Sequence, residues 1–463
     1  MKRIIEVDSR ACGAGKTTQG IYPRIKQLRA RCNRVLLVVP SIDLQNQYQR
    51  DLARSQRFDP ITIINTNLAA NVGLQLKIAV NNPDLGTICI THQAWLQNTL
   101  TYQEKSLFHL IIDESIPVWS LETVEISNRN LVAFNQCFEL DRPGDCWSSV
   151  SRRQEHATFF GVQWQRLMDV NWDLYAKGDC WSNLTEISQR FDLVRSLSLG
   201  MLEGYKSHYV AAARFECTEM ALWIETSQLY EFRILHKFQP HAVSPEFYTM
   251  LKDQRWTRYL RENNPGATKE LFGQVDEILA GEPCLMVKNR DELAALVSEQ
   301  QISHNCHGKN EYKDYTNICL ASAINPSPRM ADWYRNQLDL VGRSAHDHHK
   351  KTITGMYTAY IFYQLIMRTA LRDPNNSKPV RVFLFDTLVV QCLFDFFDTQ
   401  LDQLHQVLSF TTNKKPSKPS KPRKPRKPRK TKKIPMTNAE KQKRYYNKKK
   451  VLRKTYKGLL GKK

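Results

Sequence analysis

The run Arg34-Val-Leu-Leu-Val-Val-Pro40 admits few folds. It shows no polar alternation, so the strand it forms must be covered on both faces, as an inner strand of a parallel sheet is. The run stops at Pro40-Ser41, and Asp43-Leu44-Gln45-Asn46-Gln47 then reads as a helix start. Comparable short runs recur at Ile4–Val7, Ile61–Asn65, Thr87–Thr91 and Phe108–Asp113, with helical stretches between them. Strands alternating with helices predict an α/β fold built on a doubly wound parallel sheet. Such sheets bind ligands at the carboxyl ends of their strands. Ser9–Thr17, Pro40-Ser41, Thr91-His92 and Asp113-Glu114 all fall there.

The first strand breaks into Arg10-Ala11-Cys12-Gly13-Ala14-Gly15 before Lys16-Thr17-Thr18 opens a helical stretch running through Leu28. Glycines at 13 and 15 let the backbone curl with its N–H groups turned towards an anion, and the helix N-terminus adds partial positive charge. Cys12 to Thr18 are therefore the expected ATP-binding residues. Lys16 is placed to reach the β- and γ-phosphates, and the Thr17 hydroxyl to take one position on Mg²⁺. One departure is Arg10, which stands where such loops usually begin with glycine. Asp113 and Glu114 close the strand expected beside this loop. Hydrolysis of a γ-phosphate needs one carboxylate to hold Mg²⁺, a role that suits Asp113, and another to orient the attacking water, which suits Glu114. Alone, the pair also reads as a helix cap with a first-turn acid.

At 463 residues the chain exceeds one hydrophobic core, and 41% hydrophobic content supplies two or three. No apolar run reaches membrane-span length and the N-terminus lacks signal-peptide features, so a cytoplasmic location and no membrane partner are expected. The eleven cysteines lack paired Cys-x-x-Cys spacing and read as reduced core residues. The net charge of +21 is not spread evenly: residues 414–463 hold 23 Lys and Arg against the single acid Glu440, leaving −1 on residues 1–413. Proline at every third position favours extended chain through the first part of this tail, and Asn438–Lys457 is free of proline and suits a short basic helix. With Tyr445, Tyr446 and Tyr456 interleaved, the tail suits binding to a polyanion, DNA first and RNA second.

Four segments follow: residues 1–120 as an ATP-binding α/β domain, 121–280 as a mainly helical insertion, 281–412 as a second α/β unit, and 413–463 as a disordered basic tail. In the second unit Pro283–Lys288, Thr316–Ala323 and Val380–Phe385 read as strands, and Asp291–Gln300, Ile353–Leu371 and Val389–Phe397 as helices. His346-Asp347-His348-His349 reads as a solvated loop, because adjacent histidines face different ways.

In this order the elements resemble the superfamily 2 helicases and translocases of the DEAD/DEAH-like type, above all the compact forms of phages and plasmids. Ala11–Thr17 resembles their motif I. Pro40, Ser41 and Gln47 resemble motif Ia, and Thr91-His92 the element ahead of motif II, both nucleic-acid contacts. Asp113-Glu114-Ser115-Ile116 resembles motif II, and Cys284–Asn289 the motif IV strand. Gly308 and Asn310, followed by Tyr312–Tyr315, resemble motif V, another nucleic-acid contact. Gln364, Arg368 and Arg372 resemble motif VI, with arginines four apart rather than three, a spacing that still keeps one face of a helix. No Ser-Ala-Thr-like motif III stands in residues 116–280. The resemblance implies two RecA-like domains with ATP and Mg²⁺ between them. Gln364 would contact the nucleotide or its water network, and an arginine finger would come from Arg368 or Arg372. The implied activity is an ATP-hydrolysing helicase or translocase acting in phage or plasmid replication. The rival expectation is a DNA-binding replication initiator or packaging factor in which ATP serves only as a switch.

Overall fold

In the computed structural model the described residues are 2–406, apart from 55–59, 69–70, 127, 143–145, 154–165, 179–180, 182–188, 242, 252–255, 290–291, 293–294, 305–310, 344–345, 374–375 and 400–403. Five strands follow the expected runs: β1 (Arg3–Asp8), β2 (Arg34–Val39), β3 (Ile61–Ile64), β4 (Thr87–Thr91) and β5 (Phe108–Asp113). Residues 119–197 add β6 (Trp119–Ile126), β7 (Phe138–Leu140), β8 (Trp147–Arg152), β9 (Trp172–Lys177) and β10 (Gln189–Leu197). Then come β11 (His208–Ala211), β12 (Tyr230–His236) and β13 (Glu246–Thr249). The remainder are β14 (Cys284–Val287), β15 (Glu299–Gln301), β16 (Asn317–Leu320), β17 (Arg381–Leu384) and β18 (Leu404–Gln406).

The first sheet is parallel throughout, in the order β12-β1-β11-β5-β2-β4-β3. Its apolar runs are sorted by the two-residue period of a strand. Leu36, Val38, Leu110 and Ile112 enter one core with Trp95 and Phe215, while Val35, Leu37, Val39 and Ile111 enter another with Ile21, Ile25 and Tyr48. The second sheet, β15-β14-β16-β17-β13-β18, is also parallel and likewise covered on both faces. The two parallel sheets expected from the sequence are thus both present.

The middle of the chain departs from expectation. Residues 121–280 are not mainly helical: β6 to β10 form an antiparallel sheet in the order β6-β10-β9-β8-β7. Trp172, Leu174 and Ala176 of β9 point inwards, and Asp173, Tyr175 and Lys177 alternate with them, a period of two rather than 3.6. Beyond this sheet, β11 and β12 return to the first sheet, and β13 already belongs to the second.

Smaller differences follow from local chemistry. Glu299 and Gln300, expected at the end of a helix, lie in edge strand β15. His346–Thr354 is helical rather than a loop and continues through a wider turn, Gly355–Ala359, into Tyr360–Ile366. His349 is buried and its Nε2 lies 2.7 Å from the Arg343 carbonyl. The helix ends before Leu371, the expected end. Thr369 donates back to the Ile366 carbonyl at 2.7 Å, and Pro374 lies just ahead in the sequence. Arg368 and Arg372 therefore stand in the following turn and short 3₁₀ segment (Ala370–Arg372), not on one helical face.

The helix Pro328–Leu340 comes between β16 and β17, yet its Met330, Trp333, Tyr334 and Leu338 join the core of the first sheet. Trp333 packs against Trp119, Trp147 and Tyr175 of the inserted sheet, with ring centroids 6.1, 5.3 and 4.9 Å away. Among the described residues no helix is long and apolar enough to cross a membrane. The tail lies outside the described residues.

Candidate nucleotide site between the two sheets

Loop 9–15 leaves β1 at its carboxyl end and enters the helix beginning at Lys16. Gly13 (φ +80°) and Gly15 (φ +76°) adopt left-handed backbone that side chains disfavour. The curl turns Lys16 inwards, where its Nζ donates to the Arg10 and Ala11 carbonyls, each at 3.1 Å. A phosphate in this loop would replace two neutral acceptors with charged ones.

Arg10 is tethered away from that role. Its Nε donates to Asp8 Oδ1 at 2.8 Å, another nitrogen pairs with Oδ2, and a third reaches Gln19 Oε1 at 3.0 Å. Asp8 is fully buried and also accepts from the Tyr209 hydroxyl at 3.2 Å. Burial works to raise the Asp8 pKa, but the hydrogen bond and charge of Arg10, with Tyr209, outweigh it and hold the carboxyl below its ordinary value. A side chain at position 20 would intrude here, since a Cβ would stand 2.6 Å from Asp8 Oδ2, so any residue larger than Gly20 would displace part of this cluster.

Asp113, at the end of β5, is buried and accepts from the Tyr48 hydroxyl at 2.8 Å. Burial first, then the neighbouring Glu114, pushes its carboxyl up to about 7. Thr17 lines the same cavity as Asp113, so a hydroxyl and a carboxylate face one space. Hard oxygen donors of this kind fit Mg²⁺, and Thr17 and Asp113 are the residues that would hold it. Glu114 sits at φ +70°, a left-handed conformation rare for its type, with its N–H held by the Ala211 carbonyl at 2.9 Å. Such strain is concentrated where side-chain aim matters.

The second sheet's side supplies the opposite wall. Gln364 Nε2 donates to Glu114 Oε2 at 3.2 Å, and Cys12 Sγ lies 3.3 Å from Gln364 Oε1. A cavity of about 260 Å³ is lined together by Cys12, Gly13, Gly15, Lys16, Thr17, Thr18, Asp113, Glu114, Gln364, Arg368 and Arg372. Ala14 lines a neighbouring cavity of about 750 Å³ that shares Cys12, Gly13 and Arg372 with the first. Burial, then the nearby Arg368, lowers the Arg372 pKa from its ordinary value.

Residues expected to touch nucleic acid are placed differently from one another. Pro40 and Gln47 line the 260 Å³ cavity itself. Ser41 accepts from the Leu44 N–H at 3.2 Å, starting the helix Ile42–Arg54. Thr91 caps the helix His92–Gln97, and His92 Nε2 lies 2.9 Å from the Asp113 carbonyl. Gly308 and Asn310 lie outside the described residues. Sequence reasoning passed over Tyr48 and Asp51, which share one face of the helix Ile42–Arg54. Asp51 lines the same cavity and accepts from Tyr22 at 2.9 Å. Their three-residue spacing behind Pro40-Ser41 was the available signal. The segment Ala211-Ala212-Ala213 was also missed. Ala211 ends β11, between β1 and β5, and Ala212 after it donates its N–H to the Asp8 carbonyl at 3.1 Å.

No protein-family model and no curated protein matches this sequence. Among solved structures, that of S. tokodaii Xpd4 is similar to this chain, with 12% identity and a TM-score of 0.45 over 88% of this chain and 96% of that one.

Proposed function

We propose that this chain is an ATP-dependent nucleic-acid translocase or helicase, hydrolysing Mg-ATP between its two parallel sheets. The observation that carries the reading is the common cavity. Residues as far apart in sequence as Lys16, Asp113, Glu114, Gln364 and Arg372 line one cleft, as γ-phosphate hydrolysis requires. The triphosphate lies against the curled loop, with Thr17 and Asp113 as the metal-holding pair. The nucleoside extends into the adjoining 750 Å³ cavity. Glu114, aimed by its own backbone and by Gln364, orients the attacking water, while Arg368 and Arg372 offset charge developing on the transferred phosphoryl group. The basic tail adds sequence-independent phosphate contacts, with DNA as the favoured polymer. Steady-state ATP hydrolysis with and without single-stranded DNA tests this, and a stimulation of about tenfold is expected of a coupled motor.

A second reading, an ATP-switch replication initiator that unwinds nothing, is favoured by Ala211–Ala213. These residues lie within 116–280, where no Ser-Ala-Thr-like coupling element stands, and carry no hydroxyl. Slow turnover indifferent to DNA would select it.

A further inference from the structure

The phosphate loop is joined to the opposite wall by one phenol. The Cys12 backbone N–H donates to the Tyr363 hydroxyl at 2.7 Å, and that hydroxyl lies 2.9 Å from His241 Nε2. A hydroxyl both accepts and donates, so the chain runs from Cys12 N–H to Tyr363 O and from Tyr363 O–H to the imidazole. Burial first, then Lys16, lowers the His241 pKa to about 4, which keeps the ring neutral and able to accept.

Each member is fixed from behind. Tyr363 is fully buried and stacks on Phe396 at 4.5 Å between ring centroids. His241 donates its backbone N–H to the Phe396 carbonyl at 3.2 Å and packs its ring on Phe397. His241 also lies in the connection between β12 and β13, the stretch where the chain passes from the first sheet to the second. Next along the helix, Gln364 bonds both Cys12 Sγ and Glu114.

We infer that Tyr363 is a positioning residue for hydrolysis, holding the Cys12 edge of the phosphate loop against Gln364 and Glu114, with His241 orienting its hydroxyl. This rests on the ATP-hydrolysing reading above. Lys16 and the loop glycines hold the triphosphate without Tyr363, so the hydroxyl acts on turnover more than on nucleotide affinity.

The test is steady-state ATP hydrolysis by the full chain and by Tyr363→Phe, His241→Ala, His241→Asn and the Tyr363→Phe/His241→Ala double variant, each with its melting temperature. Tyr363→Phe is expected to lower kcat about fivefold or more, the scale of one buried hydrogen bond, with KM for ATP within about twofold. His241→Ala should match it, His241→Asn should retain an acceptor and most of the activity, and the double variant should be no slower than either single one. A wild-type chain that turns over ATP beside an unchanged Tyr363→Phe overturns this inference alone. Additive losses in the double variant, or losses that track melting temperature, overturn it as well. A wild-type chain without ATP turnover overturns the parent reading and this inference with it.

Discussion

The side-chain amide of Gln364 donates to Glu114 across 3.2 Å, so the carboxylate at the end of β5 is aimed by a residue 250 positions later in the chain. Glu114→Gln keeps the size and loses the charge. It should cut ATP turnover by roughly a hundredfold or more, the range of a lost general base, while nucleotide binding persists. Single-turnover hydrolysis beside a fluorescent-nucleotide titration measures both, and near-normal turnover would remove Glu114 from the chemistry.

Lys16 is the cation inside the loop, held by two carbonyls 3.1 Å away. Lys16→Ala should abolish hydrolysis yet leave binding to single-stranded DNA nearly unchanged at moderate salt, if the proposed DNA contacts of the tail carry that affinity. Fluorescence anisotropy on labelled DNA, run beside the hydrolysis assay, separates the two effects.

Arg368 and Arg372 line the same cleft from the turn after Ile366. At least one of Arg368→Ala and Arg372→Ala should lower kcat by about a thousandfold, the low end for an arginine finger. ATP affinity should change far less. If both variants turn over normally, no finger comes from this turn.

Removal of residues 413–463 deletes 23 Lys and Arg. DNA affinity should fall sharply near physiological salt, and the slope of log affinity against log salt should flatten, since each phosphate contact contributes about −0.7 for single strands. Unstimulated hydrolysis should stay close to that of the full chain. Equal DNA affinity after truncation would take the tail out of the mechanism.

Glu219 accepts from the Tyr334 hydroxyl of the helix Pro328–Leu340, and burial raises its pKa from 4.5 to about 7. An acid whose folded pKa is raised binds its proton more tightly when folded. The stability it contributes is complete below about 4.5 and is lost as pH rises through about 7. Glu219→Gln fixes the neutral form. Relative to wild type it should gain stability as pH rises from about 4.5 to about 7, by up to about 1.4 kcal/mol per pH unit, and level off above that. Denaturant titrations at several pH values check this, and a constant difference would mean that Glu219 does not titrate with folding.

What the sequence made legible was whatever buries both faces of a strand or curls a loop on glycine. The runs at 34–39 and 108–113 had no polar alternation to hide them, and the pair Gly13 and Gly15 before Lys16 marked a curled loop entering a helix. Gln364, Arg368 and Arg372 were legible as residues but not as geometry: their spacing suggested one helical face, and Thr369 and the coming Pro374 end the helix first. The inserted sheet was obscured because β8 and β9 mix tryptophan, tyrosine and serine in short segments, where a period of two is hard to tell from aromatic-rich helix. Ala211–Ala213 was invisible for a different reason. Three alanines carry no chemistry of their own, and only their place between β1 and β5 gives them meaning. Tyr363 and His241 meet through tertiary packing over 122 positions, which no local pattern encodes.

The helix Pro328–Leu340 closes the core of a sheet whose first strand begins at Arg3. As the chain leaves the ribosome, Trp119 and its neighbours must wait for more than two hundred further residues before Trp333 and Tyr334 can cover them. The amino-terminal sheet therefore cannot finish folding during synthesis of its own segment. The nascent protein carries an open aromatic surface while the residues between Trp119 and Trp333 are made, so completion of this core is delayed by the order of its elements.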